Sequence, residues 1–515
     1  MSPKTGESGK QDQIFTQLSE HLFENVIIGA GPNGILLAEK LVDNGQQVLL
    51  IESGGLNSEE GLLTRDSYNF YSPSKMPNGI HTVGGGSTKW LGRVGQFIPS
   101  DFKRHAGRPE CWPINFKELD EYFTRIFGLI TDSAKLDRDF IESDSLLSKF
   151  EMYLPNQLQL RVFRFSKLSR YTEILDKLSA DKNFTLLTNS TCLEISPNRD
   201  FSYILALRRS SSESDIIHVT GKKVIVSGGT LQSTALLMRS EKLEIPARQN
   251  LLGRNLMEHF DGYVGSLVVK KKNSSILNSF ALNQDRKLNS REFGISFSLS
   301  DNEIAGGGLP NLHFEVTKFA KKLIFEQQNN HLDLPELTRR PLFFLERIIR
   351  KASDFIITIY DGVCNQKRYT IWMKGEEFPN GESSLHLSKS EEMNGIPKII
   401  YNHSISMKTS TLVRTELKLV QRIISESNLG KFRIYRHLLS NRKRFYLNPN
   451  WHPMGTMRMG LNEQESICDI NLQVYNNPGL YLLSAAVFPT GSNQNPTAMV
   501  MALGQRLAKH LTEAK

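Results

Sequence analysis

The hexapeptide GAGPNG at residues 29–34 constrains this chain more than any other stretch. An apolar run, residues 23–28, leads into it, and a helically spaced segment (ILLAEKLVDN) follows, closed by Gly45. That is a strand, a tight turn and a helix. Gly29, Gly31 and Gly34 stand at GxGxxG spacing, with Pro32 and Asn33 between them. In that pattern the first glycine permits the turn, the second lets a pyrophosphate approach the backbone, and the third lets helix pack on strand. A second apolar run, residues 48–51, ends in Glu52 and Ser53, with Glu52 18 positions beyond Gly34. A carboxylate there is placed to hold the ribose hydroxyls of an ADP moiety. Glycines serving only a tight turn would leave the position of Glu52 to coincidence.

The next informative stretch is PNGIHTVGGGSTKWLGRVGQF, residues 77–97. Glycine inside a regular element costs about 0.5–1 kcal/mol relative to alanine. The run Gly84, Gly85, Gly86 is therefore read as backbone lying against a ligand, with Ser87 beside it. Val83, Trp90 and Phe97 argue for burial rather than a loose surface loop. Asn115 and Glu118 then form a capping box, with Ile114 and Leu119 as its apolar staple, that starts a structural helix over residues 116–127.

The last tenth of the chain supplies a histidine on a glycine-containing loop, His452 in WHPMGTMRMG, a short strand at residues 480–483, and an Asn495–Pro496 step. Asn495 is expected to cap the helix that follows, with Pro496 in its first turn, where a missing N–H has no intrahelical partner to lose. Val500, Leu503, Leu507 and Leu511 keep helical spacing, so one face is buried and the helix N-terminus is a fixed attractor of negative charge.

Between these ends, residues 184–195 and 223–226 read as strands that return the chain to the dinucleotide unit. From about 261 to 445 the character changes, with strands at 262–269 and 293–300, basic helices and no glycine fingerprint. The expected class is α/β, or α+β overall: a Rossmann-like nucleotide-binding domain, discontinuous in sequence, and a substrate domain on a mostly antiparallel sheet. The expected boundaries are a disordered tail at 1–22, the nucleotide domain at 23–110, 160–260 and 446–515, a helical insert or lid at 111–159, and the substrate domain at 261–445.

A net charge of +9 is spread over several clusters, and no basic run is interleaved with aromatics as a nucleic-acid groove requires. The segment RPLFFLERIIRK, residues 340–351, is read as a core helix with solvated arginines, the alternative being contact with a membrane surface or a redox partner. No apolar run reaches the roughly 18–20 residues of a bilayer span. Residues 1–22 lack the apolar stretch of a secretory signal, so the expectation is cytoplasmic. The four cysteines form no CxxC pair, and no metal site is expected.

With GAGPNG and Glu52, VGGGSTKW, VIVSGGTLQSTALLM, LLGRNLMEH, WHPMGTMRMG and SAAVFPTGSNQNPTAMVMAL in this order from residue 23 to 511, the chain resembles the glucose-methanol-choline (GMC) family of FAD-dependent oxidoreductases. Residues 376–402 are similar to its bacterial branch related to pyranose oxidases and sugar dehydrogenases. The resemblance implies FAD contacts at Gly29, Gly31, Pro32, Asn33, Gly34, Glu52, Ser53, Gly85, Gly86, Ser87, Cys192, Ala485, Ala486, Pro496 and Thr497. It implies His452 as the active-site histidine and Asn495 as its neighbour before the last helix. Lys89 stands where relatives that attach FAD covalently carry histidine, so non-covalent FAD is implied. Ala485 and Ala486 replace residues that often bear a hydroxyl, leaving backbone N–H groups for the pyrophosphate or ribityl.

The activity implied is oxidation of a hydroxyl group on a sugar, glycoside or sugar-derived alcohol, by hydride transfer to flavin N5 with His452 as base. The implied enzyme is a dehydrogenase rather than an oxidase, with a quinone, a redox protein or oxygen as acceptor. A flavin-containing lyase, a non-catalytic flavin-binding protein of the same fold and a nicotinamide enzyme are the other readings.

Overall fold

A computed structural model describes residues 15, 17, 18, 21–56, 68–70, 81–90, 92–108, 110–166, 169–210, 215–246, 248–281, 293–318, 359–427, 429–440 and 447–513. The basic-apolar segment 340–351 lies outside these residues.

The glycine turn sits where the sequence puts it. Strand β1 (Leu22–Ile28), helix α1 (Pro32–Asp43) and strand β2 (Val48–Ile51) form the expected unit. β2 is buried along its whole length, as its unbroken VLLI predicts for a parallel strand covered on both faces. Tyr68–Phe70 is β3, Arg93–Val94 β4, Leu158–Phe165 β5, Phe184–Leu187 β6, Ser190–Pro197 β7, Tyr203–Arg209 β8 and Ile216–Val226 β9. The first sheet has the order β6-β2-β1-β9-β8-β7, and β18 (Leu480–Leu482) joins beside β9. β6, β2, β1, β9 and β18 run parallel, while β7 and β8 close the other side antiparallel.

The second sheet is built from β10 (Phe260–Lys270), β11 (Phe293–Leu299), β12 (Leu312–Lys318), β13 (Gln366–Gly375), β16 (Lys431–Ile434) and β17 (Asn448–Pro449), together with β4 and β5. Its pairings are antiparallel, in the order β16-β10-β13-β12-β11-β5-β4. β14 (Ser384–Met393), β15 (Ile396–Asn402) and β3 make a third, small sheet. The expected class therefore holds: a Rossmann-like parallel core beside a mostly antiparallel sheet.

Some details differ from the sequence reading. The run 184–195 is two strands, because Asn189 adopts a left-handed φ of 52° and turns the chain between β6 and β7. β5, expected with the nucleotide unit from residue 160, instead pairs with β11 in the second sheet. Phe15 and Leu18, inside the expected disordered tail, are both apolar and are buried in the first core.

Helix α2 (Asp120–Ile130) begins one turn late: a 3₁₀ turn over Phe116–Leu119 precedes it, so Asn115 Oδ1 accepts from Lys117 N at 3.0 Å instead of from the third helical residue. Helices α3 (Asp137–Ser143) and α4 (Ser145–Tyr153) follow. Arg164 of β5 holds this helical segment to the second sheet, with its guanidinium 4.2 Å from the Phe127 ring centroid and 4.8 Å from that of Phe140.

The terminal helix α5 (Thr497–Glu513) buries Val500, Leu503, Leu507 and Leu511, as the spacing requires. It packs against α1 and α2, and the Leu511 carbonyl accepts from Lys223 Nζ at 3.1 Å. Among the described residues no helix is long and apolar enough to cross a membrane.

Candidate active site

Two glycine loops meet beside the end of the first sheet. Gly84 N donates to Ala30 O at 2.8 Å, and Gly29 N to Ile51 O at 2.7 Å. Gly84 (φ 89°) and Gly85 (φ 49°) take backbone conformations that most side chains avoid. A Cβ on Gly31 or Gly86 would meet nothing within 4 Å, so both leave an open cradle. Ser87 Oγ closes the second loop onto Gly84 O at 2.6 Å, and Lys89 is exposed at its end.

Glu52 is buried at the end of β2. Its Oε2 accepts from Ala30 N at 2.9 Å and its Oε1 from Gly54 N at 3.0 Å. Burial pushes its carboxyl up to about 7 against those hydrogen bonds. Ser53 Oγ lies 2.8 Å from Thr191 Oγ1, tying β2 to β7 beside Cys192. The Cys192 thiol is buried, pushed up to about 12 by desolvation, and 3.6 Å from Glu194 O. Asn33 Oδ1 and Ser227 Oγ are buried at this place with no protein partner. Open glycine backbone, a helix start without a side-chain cap at Gly31, a buried acid and orphaned polar atoms fit the ADP portion of a dinucleotide such as FAD.

The chain returns here with Ala485 and Ala486 in a 3₁₀ turn, whose carbonyls accept from Gly455 N at 3.1 Å and Met457 N at 2.8 Å. That pairing fixes the loop carrying His452. Trp451 just before it has a φ of 59°, an uncommon conformation for a bulky residue, and the turn it makes brings His452 inward. His452 N donates to Glu258 Oε2 at 2.8 Å, and Tyr401 Oη to Glu258 Oε1 at 2.9 Å. Glu377 accepts from Glu258 N at 3.0 Å and lies 2.6 Å from His403 Nε2.

The His452 ring is held from one side by His259: the two Nδ1 atoms are 3.1 Å apart and the rings stand at 77°. His259 Nε2 is 2.6 Å from Ser492 O. Desolvation holds both imidazoles well below their usual range; the Lys374 ammonium adds to this at each, and Arg93 at His452.

Asn495 is not turned back onto helix α5 as the cap reading expected. Lys374 Nζ contacts its Oδ1, and its Nδ2 donates to Arg93 O at 3.1 Å. The reason is a stronger donor: a buried ammonium, 1% exposed, outcompetes a helix N–H for the amide oxygen. Pro496 is buried next to it, and Thr497, where the helix starts, keeps partial exposure.

Arg93 in turn is ion-paired with Glu315, lies 3.2 Å from His313 Nε2 and stacks 3.5 Å from the Phe163 ring centroid. His313 is pushed down to about 3, chiefly by burial.

None of Arg93, Glu258, His259, His313, Glu315 and Lys374 was singled out from the sequence. They come from β4, β12, β13 and the two residues just before β10, and register alone sets His313 opposite Lys374. The one local signal was the MEH triplet at 257–259, whose acid and imidazole both serve the His452 loop. Among the described residues no group of three or more His, Cys, Asp or Glu could hold a metal ion.

Residues 379–504 match the family model for GMC oxidoreductases. The paromamine 6'-oxidase of Streptomyces fradiae is 21% identical over 96% of this chain and 92% of its own. The fructose dehydrogenase large subunit of Gluconobacter japonicus is 20% identical over 94% of this chain and 96% of its own. Among solved structures, pyridoxine 4-oxidase from Mesorbium loti superposes with a TM-score of 0.59 at 16% identity, covering 95% of this chain and 99% of that one. The carboxy-terminal match, these full-length similarities and the shared fold make this chain similar to GMC oxidoreductases, with the family model itself matched over residues 379–504.

Proposed function

We propose that this protein is an FAD-dependent dehydrogenase that oxidises a hydroxyl group of a sugar, glycoside or sugar-derived alcohol, with His452 as the base and Asn495 orienting the hydroxyl. The FAD is held without a covalent bond by Gly29, Gly31, Pro32, Asn33, Gly34, Glu52, Ser53, Gly85, Gly86, Ser87, Cys192, Ala485, Ala486, Pro496 and Thr497. When bound, FAD supplies the hydride acceptor at N5.

Oxidising an alcohol removes a proton from oxygen and a hydride from carbon, so the protein must accept the proton and steady the oxygen. A base works only while unprotonated. Desolvation, Lys374 and Arg93 together keep His452 neutral near pH 7, with a nitrogen lone pair available.

The Asn495 amide has one orientation. An ammonium has only donors, so it faces Oδ1; a carbonyl only accepts, so it faces Nδ2. The second Nδ2 hydrogen is then left to donate to a substrate oxygen. The observation that carries the reading is that Lys374 and Arg93, which fix the Asn495 amide, also act on the buried His452 imidazole, so that an acceptor for a proton and a donor to oxygen share one pocket.

The start of α5 adds the dipole of a helix 17 residues long, which favours negative charge near Thr497 and Ala498. The names of relatives, a paromamine 6'-oxidase and a fructose dehydrogenase large subunit, support a sugar-like substrate.

The test is rapid-mixing measurement of FAD reduction against a panel of sugars and sugar alcohols. His452→Ala is expected to lower the reduction rate constant by about 10²–10⁴ with FAD still bound. Asn495→Ala is expected to cost up to about tenfold, the worth of one neutral hydrogen bond. A His452→Ala protein that reduces at the wild-type rate would move the base elsewhere.

A further inference from the structure

We propose that His259 is a positioning residue that fixes which nitrogen of His452 acts as base, leaving Nε2 bare and Nδ1 protonated. The inference deepens the reading of His452 as base and rests on it for its kinetic arm.

Hydrogen-bond polarity in this pair is fixed from a group that cannot change. Ser492 O is a backbone carbonyl and only accepts. His259 Nε2, 2.6 Å away, must therefore carry the hydrogen. His259 is fully buried, and the groups facing it, Lys374, His452 and His313, add no negative charge, so it stays neutral with a single ring hydrogen. Its Nδ1 is thus bare.

The 3.1 Å contact between the two Nδ1 atoms needs one hydrogen, and only His452 can supply it. His452 faces Lys374 and Arg93, is likewise neutral, and so has no hydrogen on Nε2. The backbone of His452 is pinned separately, through its N–H to Glu258. The loop's position and the ring's tautomer consequently have different keepers.

In the reaction, the substrate O–H bond would break, its proton passing to His452 Nε2 and its electron pair staying on oxygen to form the C=O bond, while FAD, held by the residues named above, would supply the acceptor for the hydride that the carbon gives up. The imidazolium so made keeps Nδ1–H pointed at the bare His259 Nδ1, a hydrogen bond that strengthens as the charge appears. His259 has nowhere to send a proton, because its other nitrogen is committed to a carbonyl. It braces the base and does not relay.

The experiment uses the FAD-loaded full chain labelled with ¹⁵N-histidine, with His452→Gln identifying the His452 signals. Wild-type protein is expected to show His452 as the Nδ1–H tautomer. His259→Ala should give a mixture of tautomers, a fall in FAD reduction rate of about tenfold to a hundredfold, and a downward move of the acid limb of the pH–rate profile, since the imidazolium loses its acceptor. His259→Asn, which can present an amide oxygen near the place of Nδ1, should restore the Nδ1–H tautomer and most of the rate.

A wild-type His452 protonated on Nε2, or His259→Ala with unchanged tautomer and rate, overturns the proposal. If His452→Ala leaves the rate untouched, the base assignment fails, while the tautomer measurement still decides the histidine pair. Should His259→Ala not fold, the wild-type spectrum and the Asn variant decide it.

Discussion

Gly34 lies so close to Gly29 that a Cβ on Gly34 would stand 2.1 Å from the Gly29 carbonyl oxygen. Two residues toward the N-terminus from Gly31, strand and helix touch; at Gly31 itself, the same Cβ would enter empty space at an ordinary φ of −73°. One glycine serves packing and the other keeps room for a ligand.

Alanine substitutions should separate the two roles. Gly31→Ala is expected to leave the thermal stability of the FAD-free protein within about 0.5 kcal/mol of wild type, as for a change that touches nothing. It should weaken FAD binding tenfold or more. Gly34→Ala should destabilise the FAD-free protein by about 1–3 kcal/mol through overpacking against fixed backbone. Denaturant melts and FAD titrations read both; equal loss of stability in the two variants would refute the division.

Lys374 sets a pH dependence. Burial first, and then its ammonium, oppose protonation of His452, so wild-type FAD reduction should hold its plateau down through pH 6.5, with the acid limb below that value. Lys374→Met removes the ammonium. The imidazolium then forms more easily and the limb moves to higher pH. A limb that moves down, or stays put, would show that the charge of Lys374 is not felt at the base.

Glu258 links stability to pH at the same loop. Burial raises its carboxyl to about 7, so the folded state binds a proton between about pH 4.5 and 7 that the unfolded chain does not. Its contribution to stability is therefore present at low pH and lost as pH rises through 7, by up to about 3 kcal/mol. Glu258→Gln cannot ionise. Its stability relative to wild type should increase across that window, measured by urea melts at pH 5, 6 and 7.5; a flat difference would rule out the buried proton.

The exposed Lys89 at the end of the second glycine loop offers no imidazole for covalent attachment. Acid precipitation of the loaded protein should leave the yellow chromophore in the supernatant. Colour in the pellet would mean a covalent link through another residue.

How much of this was legible in the sequence follows from range. The glycine turn, β2 with Glu52, and helix α5 are written in contiguous residues, because turn chemistry and helical spacing act over a few positions. His452 and Asn495 were also legible, each beside a local marker, a glycine loop and a proline. Lys374 had no such marker: it is a lysine in a strand of mixed composition, and what makes it important is that Asn495 lies 121 positions later in the chain. Arg93 reads as one more loop cation until β4 pairs with β5 and carries it into the second sheet. Asn189 was visible as an asparagine, yet the run FTLLTNSTCLEI looked continuous because apolar residues flank it on both sides. The tolerance of asparagine for a left-handed turn was the overlooked signal.

The path of the chain between its sheets also bears on how the molecule is made. β1 and β2 enter the first sheet, β4 and β5 the second, β6 to β9 return to the first, β10 to β13 go back, and β18 comes last. On the ribosome, Arg93, His259, His313 and Lys374 all emerge before the loop of His452 and before Asn495. A nascent chain therefore carries the complete set of cationic pocket residues, closed by Lys374, before the residues that will occupy the pocket emerge. The site is completed only when residues 451–495 have joined it, through β18 beside β9 in the first sheet and Asn495 on Lys374 of the second. A short carboxy-terminal truncation should for this reason harm far more than its length suggests.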